Sequence, residues 1–238
     1  MLAVIETDPD FRGLDVLALQ EAGEHAGEPD AAAVAAALGP GYSHHQVTAH
    51  LLRGSVQANA LVWNPGRLEV SGIAEVALPS RRETELPRHE RAILSLVPLQ
   101  PRAALVFDCR LHGLSARICV AHLDVLGYRH KLAQFETILA DLRARPEVEL
   151  TIVAGDFNTF RIARRPRWTR LRNLADEAGF DDLSAEIEWT HGFGPRRTRQ
   201  KLDAIFLRCE RSIGYRCWSP EVTGSDHLPV FADLEGWA

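Results

Sequence analysis

The sequence predicts an α/β fold richer in strands than in helices. Short apolar, β-branched segments recur between turn residues. One amphipathic helix, Tyr128–Ala144, lies between two apolar strands, where a crossover is expected. Several of the apolar segments also end in carboxylates, histidines or amides, so a sheet built from them carries chemistry along one edge.

The chain has 238 residues, 46% of them apolar and 25% charged. That composition is ordinary for a soluble globular protein, and the length buries roughly 70–75% of the unfolded surface. No internal repeat or linker divides the chain, so residues 1–238 read as one domain. The net charge of −5 argues against a generally basic nucleic-acid binder but leaves room for a local patch. Basic residues are nearly all arginine; Lys131 and Lys201 are the only lysines. No apolar run reaches the roughly 18 residues of a membrane span. The start, with Glu6, Asp8 and Asp10, is unlike a signal peptide. Cys109, Cys119, Cys209 and Cys217 show no C-x-x-C spacing. They are expected as free thiols in a reducing cytoplasm, not as a zinc site or a disulfide framework.

Residues 1–7 read as the end of a helix, with a turn at Pro9 and Gly13. Residues 14–20 read as a buried strand with Glu21 at its end. A carboxylate there either holds a hard cation or simply meets solvent. Residues 31–38 are alanine-rich and helical, with Asp30 expected as N-cap and Gly39 as the stop. Strands are expected over Ser43–Leu52, 57–63, Leu68–Leu78, 92–98, 103–111 and 115–121. Asn64-Pro65-Gly66 marks a turn between them, and His112-Gly113 closes a tight hairpin. Residues 79–91, with Arg81, Arg82, Glu83 and Glu85, read as an exposed loop. The strand ending at Ala121 delivers His122-Leu123-Asp124. His122 is there either a donor to a phosphate oxygen or a satisfied core histidine. In Tyr128–Ala144, the stripe Leu132, Phe135, Ile138, Leu139 and Leu142 belongs to the core.

Residues 151–153 form the next buried strand and lead into Gly155-Asp156-Phe157-Asn158. On an extended backbone Asp156 and Asn158 project to one side while Phe157 turns into the core. Gly155 lets the backbone leave the strand and spares room for a substrate. The plain alternative is a strand-ending turn made of turn formers. An acid beside an amide suits chemistry on a phosphate. Arg161, Arg164, Arg165, Arg167, Arg170 and Arg172 follow, either as phosphate-binding forks or as the solvated face of a helix over residues 166–178. Arg196, Arg197, Arg199 and Lys201 precede a strand over residues 202–207, in which Asp203 interrupts an apolar run and needs a partner. Just before a last strand, residues 229–234, Gly224-Ser225-Asp226-His227 offers a metal ligand beside a titrating base.

Taken together, Gln20-Glu21, His122-Leu123, Gly155-Asp156-Phe157-Asn158, Lys201-Leu202-Asp203-Ala204-Ile205-Phe206 and Ser225-Asp226-His227-Leu228-Pro229-Val230 stand in one order. In that order the sequence resembles the endonuclease/exonuclease/phosphatase superfamily, the DNase I-like proteins, over residues 14–234. Gln57-Ala58-Asn59-Ala60-Leu61 and Arg91-Ala92-Ile93-Leu94 look like the family's middle strands. The resemblance implies a four-layer α/β sandwich, two mixed sheets face to face with helices outside and the active site at one edge.

The resemblance also implies roles. Glu21 looks like the principal Mg²⁺ or Mn²⁺ ligand, and Asp226 would lie beside the metal. Asp156 resembles the acid that orients the attacking water and protonates the leaving oxygen. Asn158 resembles the donor that steadies the phosphate, and His122 the donor to the transition state. His227 resembles the imidazole that contacts phosphate or activates water, oriented by Asp203. The implied activity is metal-dependent hydrolysis of a phosphodiester, nucleic acid included among the substrates. A nonspecific nuclease guided by the arginine clusters is one form of it. The competing reading is a silent phosphate-ligand-binding protein on the same scaffold. Its motive is a departure from the family pattern. Members normally begin with a strand carrying a metal-holding Asn in a Tyr-Asn-Val-like pattern, and that strand is not seen upstream of Glu21. Either the start lies further upstream or the strand is lost, which leaves an edge open to dimerisation or to another segment.

Overall fold

The computed structural model describes residues 1–52, 54–95, 99–160, 167–193 and 198–236. In chain order the first half holds α1 (Leu2–Thr7), β1 (Val16–Ala22), β2 (Glu24–His25), β3 (Glu28–Pro29), α2 (Asp30–Leu38), β4 (Ser43–Leu52), β5 (Ser55–Trp63), β6 (Leu68–Leu78), α3 (Arg88–Leu94), β7 (Arg102–Leu111) and β8 (Leu114–His122). The second half holds α4 (Tyr128–Ala144), β9 (Leu150–Asp156), α5 (Arg167–Glu177), β10 (Asp181–Asp182), β11 (His191–Phe193), β12 (Thr198–Gln200), β13 (Asp203–Cys209), β14 (Gly214–Trp218) and β15 (Phe231–Glu235).

Alternation along the strands builds the layers. The larger sheet runs β10-β13-β9-β8-β7-β6 and is antiparallel except for the β8–β9 pair, which α4 makes parallel by crossing over between them. One face of β7 and β8, with Ala104, Val106, Cys119 and Ala121, packs against Phe135, Ile138 and Leu142 of α4 and Leu171 and Leu174 of α5. The opposite face, with Leu105, Phe107, Ile118 and Val120, meets Leu61, Val16, Ala18 and Val47 of the smaller sheet β1-β5-β4. The far face of that smaller sheet, with Ala58, Ala60 and Val62, is covered by Ile5 of α1 and Ala31, Val34 and Ala35 of α2. The order helix, sheet, sheet, helix follows from strands that are apolar on both faces.

The β14–β15 ribbon shares both neighbouring cores: Trp218 and Phe231 join the helix-side cluster, while Cys217, Ala232 and Leu234 join the inner one. It therefore continues the layer of β1. Among the described residues, however, β1 pairs only with β5 and β15 only with β14. A cleft of about 910 Å³ separates the two edges.

Some expectations change. Residues 92–98 were expected as a strand, with residues 91–94 as a family middle strand; α3 instead carries the chain through Leu94, and residues 96–98 lie outside the described residues. Proline suits the entry to a helix, where a missing N–H costs nothing, and the Pro87 carbonyl accepts from the Arg91 N–H at 2.9 Å. The span 79–91 is not simply an exposed loop, because Arg81 and Leu86 are buried. Asp30 is the first helical residue and not the N-cap; its carboxylate turns back to accept from the Gly23 N–H at 2.7 Å. The His112-Gly113 hairpin has positive φ at both residues, +49° and +86°, as a two-residue turn matching strand twist requires. The four cysteines are free, and no helix among the described residues is long and apolar enough to cross a membrane.

Candidate active site at the cleft edge

Register brings the polar strand ends together. His122 stands beside Asp156 in the parallel β8–β9 pair, and Asp156 stands opposite Asp203 in the antiparallel β9–β13 pair. Their side chains close on one another: His122 Nε2 lies 3.6 Å from Asp156 Oδ2. His227 arrives from a distant segment pinned by the Leu228 N–H donating to the Thr190 carbonyl at 2.6 Å. Its Nδ1 lies 2.8 Å from Asp203 Oδ2, which gives Asp203 the partner its position demanded. Glu21 completes the group. Gln20 and Glu21 form a bulge, opposing one residue of β5, and Glu21 has φ +57°. The bulge re-aims the carboxylate toward His122, 3.9 Å away.

Two local details differ from a simple extended strand. Asn158 sits at φ +50°, and its backbone N–H donates to Asp156 Oδ1 at 2.8 Å. Its side-chain amide donates to the Leu123 carbonyl at 3.0 Å and to Asp156 Oδ2 at 2.9 Å. Asn158 thus holds the carboxylate of Asp156, while Phe157 packs in the core as expected. Gly155 is needed for a different reason than substrate access. A Cβ there would sit 1.8 Å from the Ala121 carbonyl oxygen, so the space it spares is filled by the neighbouring strand.

Burial sets the electrostatics. Asp156 is pushed up to about 8, by burial first and by the Asp203 carboxylate second. Burial opposes charge on His227, but the Asp203 hydrogen bond and the carboxylates of Asp203, Asp156 and Asp226 outweigh it and raise His227 to about 9. Burial, then the Arg102 charge, holds His122 well below the usual histidine range, so its ring is neutral.

Sequence reasoning missed several participants. Arg102, buried at the start of β7, reaches both His122 ring nitrogens at 2.9 and 3.2 Å. Nothing local distinguished it from the other arginines. Lys131 is buried on α4 and donates to the Asn158 carbonyl. A signal existed: one of only two lysines falls on the apolar stripe of a helix. Thr190 Oγ1 accepts from the N–H groups of Leu202 and Asp203, fixing the entry to β13. His191 packs on His227 with ring centroids 4.6 Å apart and lies 3.5 Å from Asp226.

The donor set fits a hard divalent cation. Asp156, Asp203 and His227 offer ligand atoms within 4.8 Å of one another, as do His191, Asp226 and His227. Glu21 and Asp226 line the same cleft as Asp156 and Asp203, and Asp30 is a fifth carboxylate along it. Two opposed carboxylates, one of them held protonated at neutral pH chiefly by burial, form a site that a cation would relieve.

The described arginines of the two sequence clusters make their contacts elsewhere. Arg170 pairs with Glu177 at 3.8 Å and Arg172 with Asp182 at 3.3 Å, while Trp168 packs on Phe206. Arg199 lies over Trp189. Lys201 donates to the Ser184 carbonyl. Arg161, Arg164, Arg165, Arg196 and Arg197 lie outside the described residues, as does the side chain of Arg167.

No sequence-family profile matches the chain, and no curated protein does. Solved structures match closely in shape. The mannosyl-6-phosphatase Bt3783 of Bacteroides thetaiotaomicron VPI-5482 superposes with TM-score 0.71 at 15% identity, covering 99% of this chain and 90% of that one. An endonuclease/exonuclease/phosphatase family protein from Leptotrichia buccalis C-1013-b gives 0.70 at 14% identity, with coverage of 99% and 92%. The human Nocturnin catalytic domain with bound sulfate gives 0.64 at 18% identity, with coverage of 93% and 81%. At such identities the shared property is the architecture, and the chain has the fold of the endonuclease/exonuclease/phosphatase superfamily, the DNase I-like fold.

Proposed function

We propose that this protein is a metal-dependent phosphoesterase that hydrolyses a phosphodiester by attack of an activated water. The observation that carries the reading is the convergence of Asp156, Asp203, His227, His122 and Arg102 at one edge of an acidic cleft. The fold is shared with proteins whose names record phosphatase activity and sulfate binding, which supports chemistry on a phosphoryl centre. Asp203 holds His227 in one orientation, leaving Nε2 to contact phosphate or activate water. Asp156, braced by Asn158, takes a proton from the water or returns one to the leaving oxygen. Neutral His122 and charged Arg102 donate to phosphate oxygens. Glu21, Asp226, Asp156 and Asp203 would hold Mg²⁺ or Mn²⁺, which would offset charge on the phosphate and the departing oxygen. Each acid–base partner would contribute about 10²–10⁴-fold in rate.

The test is hydrolysis of bis-p-nitrophenyl phosphate, with p-nitrophenyl phosphate alongside, under Mg²⁺, Mn²⁺ and EDTA. Metal-dependent diester turnover that Glu21→Ala, Asp156→Asn and His227→Ala each abolish is expected. Turnover untouched by Asp156→Asn and His227→Ala would sink the proposal. The second reading, a silent binder of a phosphorylated ligand, is favoured by the open edge beside Glu21, and it expects phosphate binding with no turnover under any metal.

A further inference from the structure

The segment that delivers His227 is itself one side of a short ladder. His191 and His227 stand directly opposed in an isolated antiparallel bridge. The Leu228 N–H donates to the Thr190 carbonyl at 2.6 Å, and the Gly192 N–H donates to the Asp226 carbonyl at 3.4 Å. These bonds flank the two histidines, which makes them a non-hydrogen-bonded pair, the kind whose side chains stand closer. Their rings meet at 4.6 Å between centroids. Asp226 joins from the same segment, with Oδ2 3.5 Å from His191 Nε2. The three side chains bring one ligand atom each within 4.8 Å of one another. Both rings are held from outside the trio. Asp203 engages His227 Nδ1 at 2.8 Å, and Phe160 packs edge-on against His191 with centroids 6.0 Å apart. β11 is in turn paired with β12, where His191 lies opposite Gln200. His191 is buried, whereas the Asp226 side chain is 77% exposed, so the trio is fixed at the back and open at the front.

We propose that His191, His227 and Asp226 form a second cation site, one that takes a borderline transition ion, Zn²⁺ foremost. Imidazole suits such ions, whereas carboxylate sets suit Mg²⁺ and Mn²⁺. The chemistry of the donors therefore separates this site from the one framed by Glu21, Asp156 and Asp203. A tetrahedral Zn²⁺ about 2.0–2.1 Å from nitrogen or oxygen sets its ligand atoms about 3.3 Å apart, and His191 and Asp226 already stand at 3.5 Å. With Nδ1 engaged by Asp203, the nitrogen that His227 offers is Nε2, in the carboxylate–histidine–metal arrangement that fixes a ligand ring. Three protein ligands leave a fourth position open to water. The site stands on its donors alone and needs no turnover. Its consequence rests on the phosphoesterase reading above. An ion on His227 Nε2 takes the nitrogen that would meet phosphate, and it shares Asp226 with the Mg²⁺ site, so Zn²⁺ inhibits.

The experiment uses the full chain, stripped of metal with a chelator, without substrate. ZnCl₂ is titrated by calorimetry and, in parallel, CoCl₂ by visible absorption. One equivalent of Zn²⁺ should bind at least about 100-fold more tightly than Mg²⁺, and Co²⁺ should give the intense bands of four-coordination. His191→Gln and Asp226→Asn should each weaken Zn²⁺ by more than the roughly 10–100-fold that loss of an outer partner costs. Glu21→Ala should leave Zn²⁺ affinity unchanged. Because His191 is buried, the melting temperature of metal-free His191→Gln is compared with wild type; if it falls, the exposed Asp226→Asn carries the comparison. Zn²⁺ binding no tighter than Mg²⁺ overturns the site. So does binding that survives these variants, which would place the ion on free thiols or other carboxylates, and so does an equal loss in Glu21→Ala. With bis-p-nitrophenyl phosphate under Mg²⁺, one equivalent of Zn²⁺ should inhibit hydrolysis, and full turnover with the site filled overturns the consequence. Absence of any turnover would count against the phosphoesterase reading, while the titration still decides the site.

Discussion

Asp203 and Asp156 stand directly opposite each other across the β9–β13 ladder, and the imidazole of His227 is hydrogen-bonded to Asp203 at 2.8 Å. Like charges in that position repel. The arrangement persists because Asp156 holds a proton and His227 supplies a positive charge, each displaced from its ordinary range by the same cluster. The pair of strand ends therefore works as one titrating unit.

Asp203→Asn should lower kcat by about 10²–10⁴-fold, since it removes the group that orients and charges His227. It should also bring the His227 pKa down from about 9 toward the ordinary histidine value. NMR titration of the ring, beside the rate measurement, separates the two effects. A ring that still titrates near 9 would show that Asp203 is not the cause.

Arg102 is the buried cation nearest His122. Arg102→Ala should weaken inorganic phosphate binding by about 1.5–3 kcal/mol, the range for a hydrogen bond to a charged group. Isothermal titration calorimetry reads this directly, and unchanged affinity would remove Arg102 from the phosphate site.

Gly155→Ala puts a methyl group where the Ala121 carbonyl already sits, at a residue whose φ of +148° disfavours any side chain. The loss should exceed the roughly 1–3 kcal/mol of ordinary overpacking. Urea denaturation of the variant checks it; a loss under about 1 kcal/mol would mean that β8 and β9 can separate without cost.

His122 contributes a pH dependence of definite sign. Its folded pKa lies below the unfolded value, so the unfolded chain binds the extra proton. Stability from this group is full above the unfolded pKa of about 6.5 and declines as pH falls below it, by up to about 1.4 kcal/mol per pH unit. Asp156 and His227 slope the opposite way, so the comparison is wild type against His122→Asn. The variant should lose less stability between pH 6.5 and 5 than the wild type; parallel curves would contradict the assignment.

Cys109 and Cys119 are buried, and burial pushes both thiols to about 12. Neither should be alkylated by iodoacetamide at pH 8 in the folded protein, and both should react in urea. Peptide mass mapping identifies the sites, and prompt labelling of Cys119 in the native state would contradict its burial.

What was legible in the sequence was local. Strand-like segments between turn residues marked Ser43–Leu52 and Leu68–Leu78, a helical stripe marked Tyr128–Ala144, and His112-Gly113 marked a hairpin, because each pattern arises within a few residues of backbone. Short polar motifs at strand ends named His122, Asp156, Asp203 and His227 before any distance was known. What only the tertiary structure decided depended on neighbours distant in sequence. Residues 92–94 are a short apolar run, and such runs do not distinguish helix from strand until packing chooses. The need for Gly155 comes from the carbonyl of Ala121, 34 positions earlier. Arg102 and Lys131 enter the site through strand order and the crossover helix, so no local spacing announces them. The open edge was expected from the strand not seen upstream of Glu21, but that the cleft runs between β1 and the segment leading into β15 depended on how the sheets assemble.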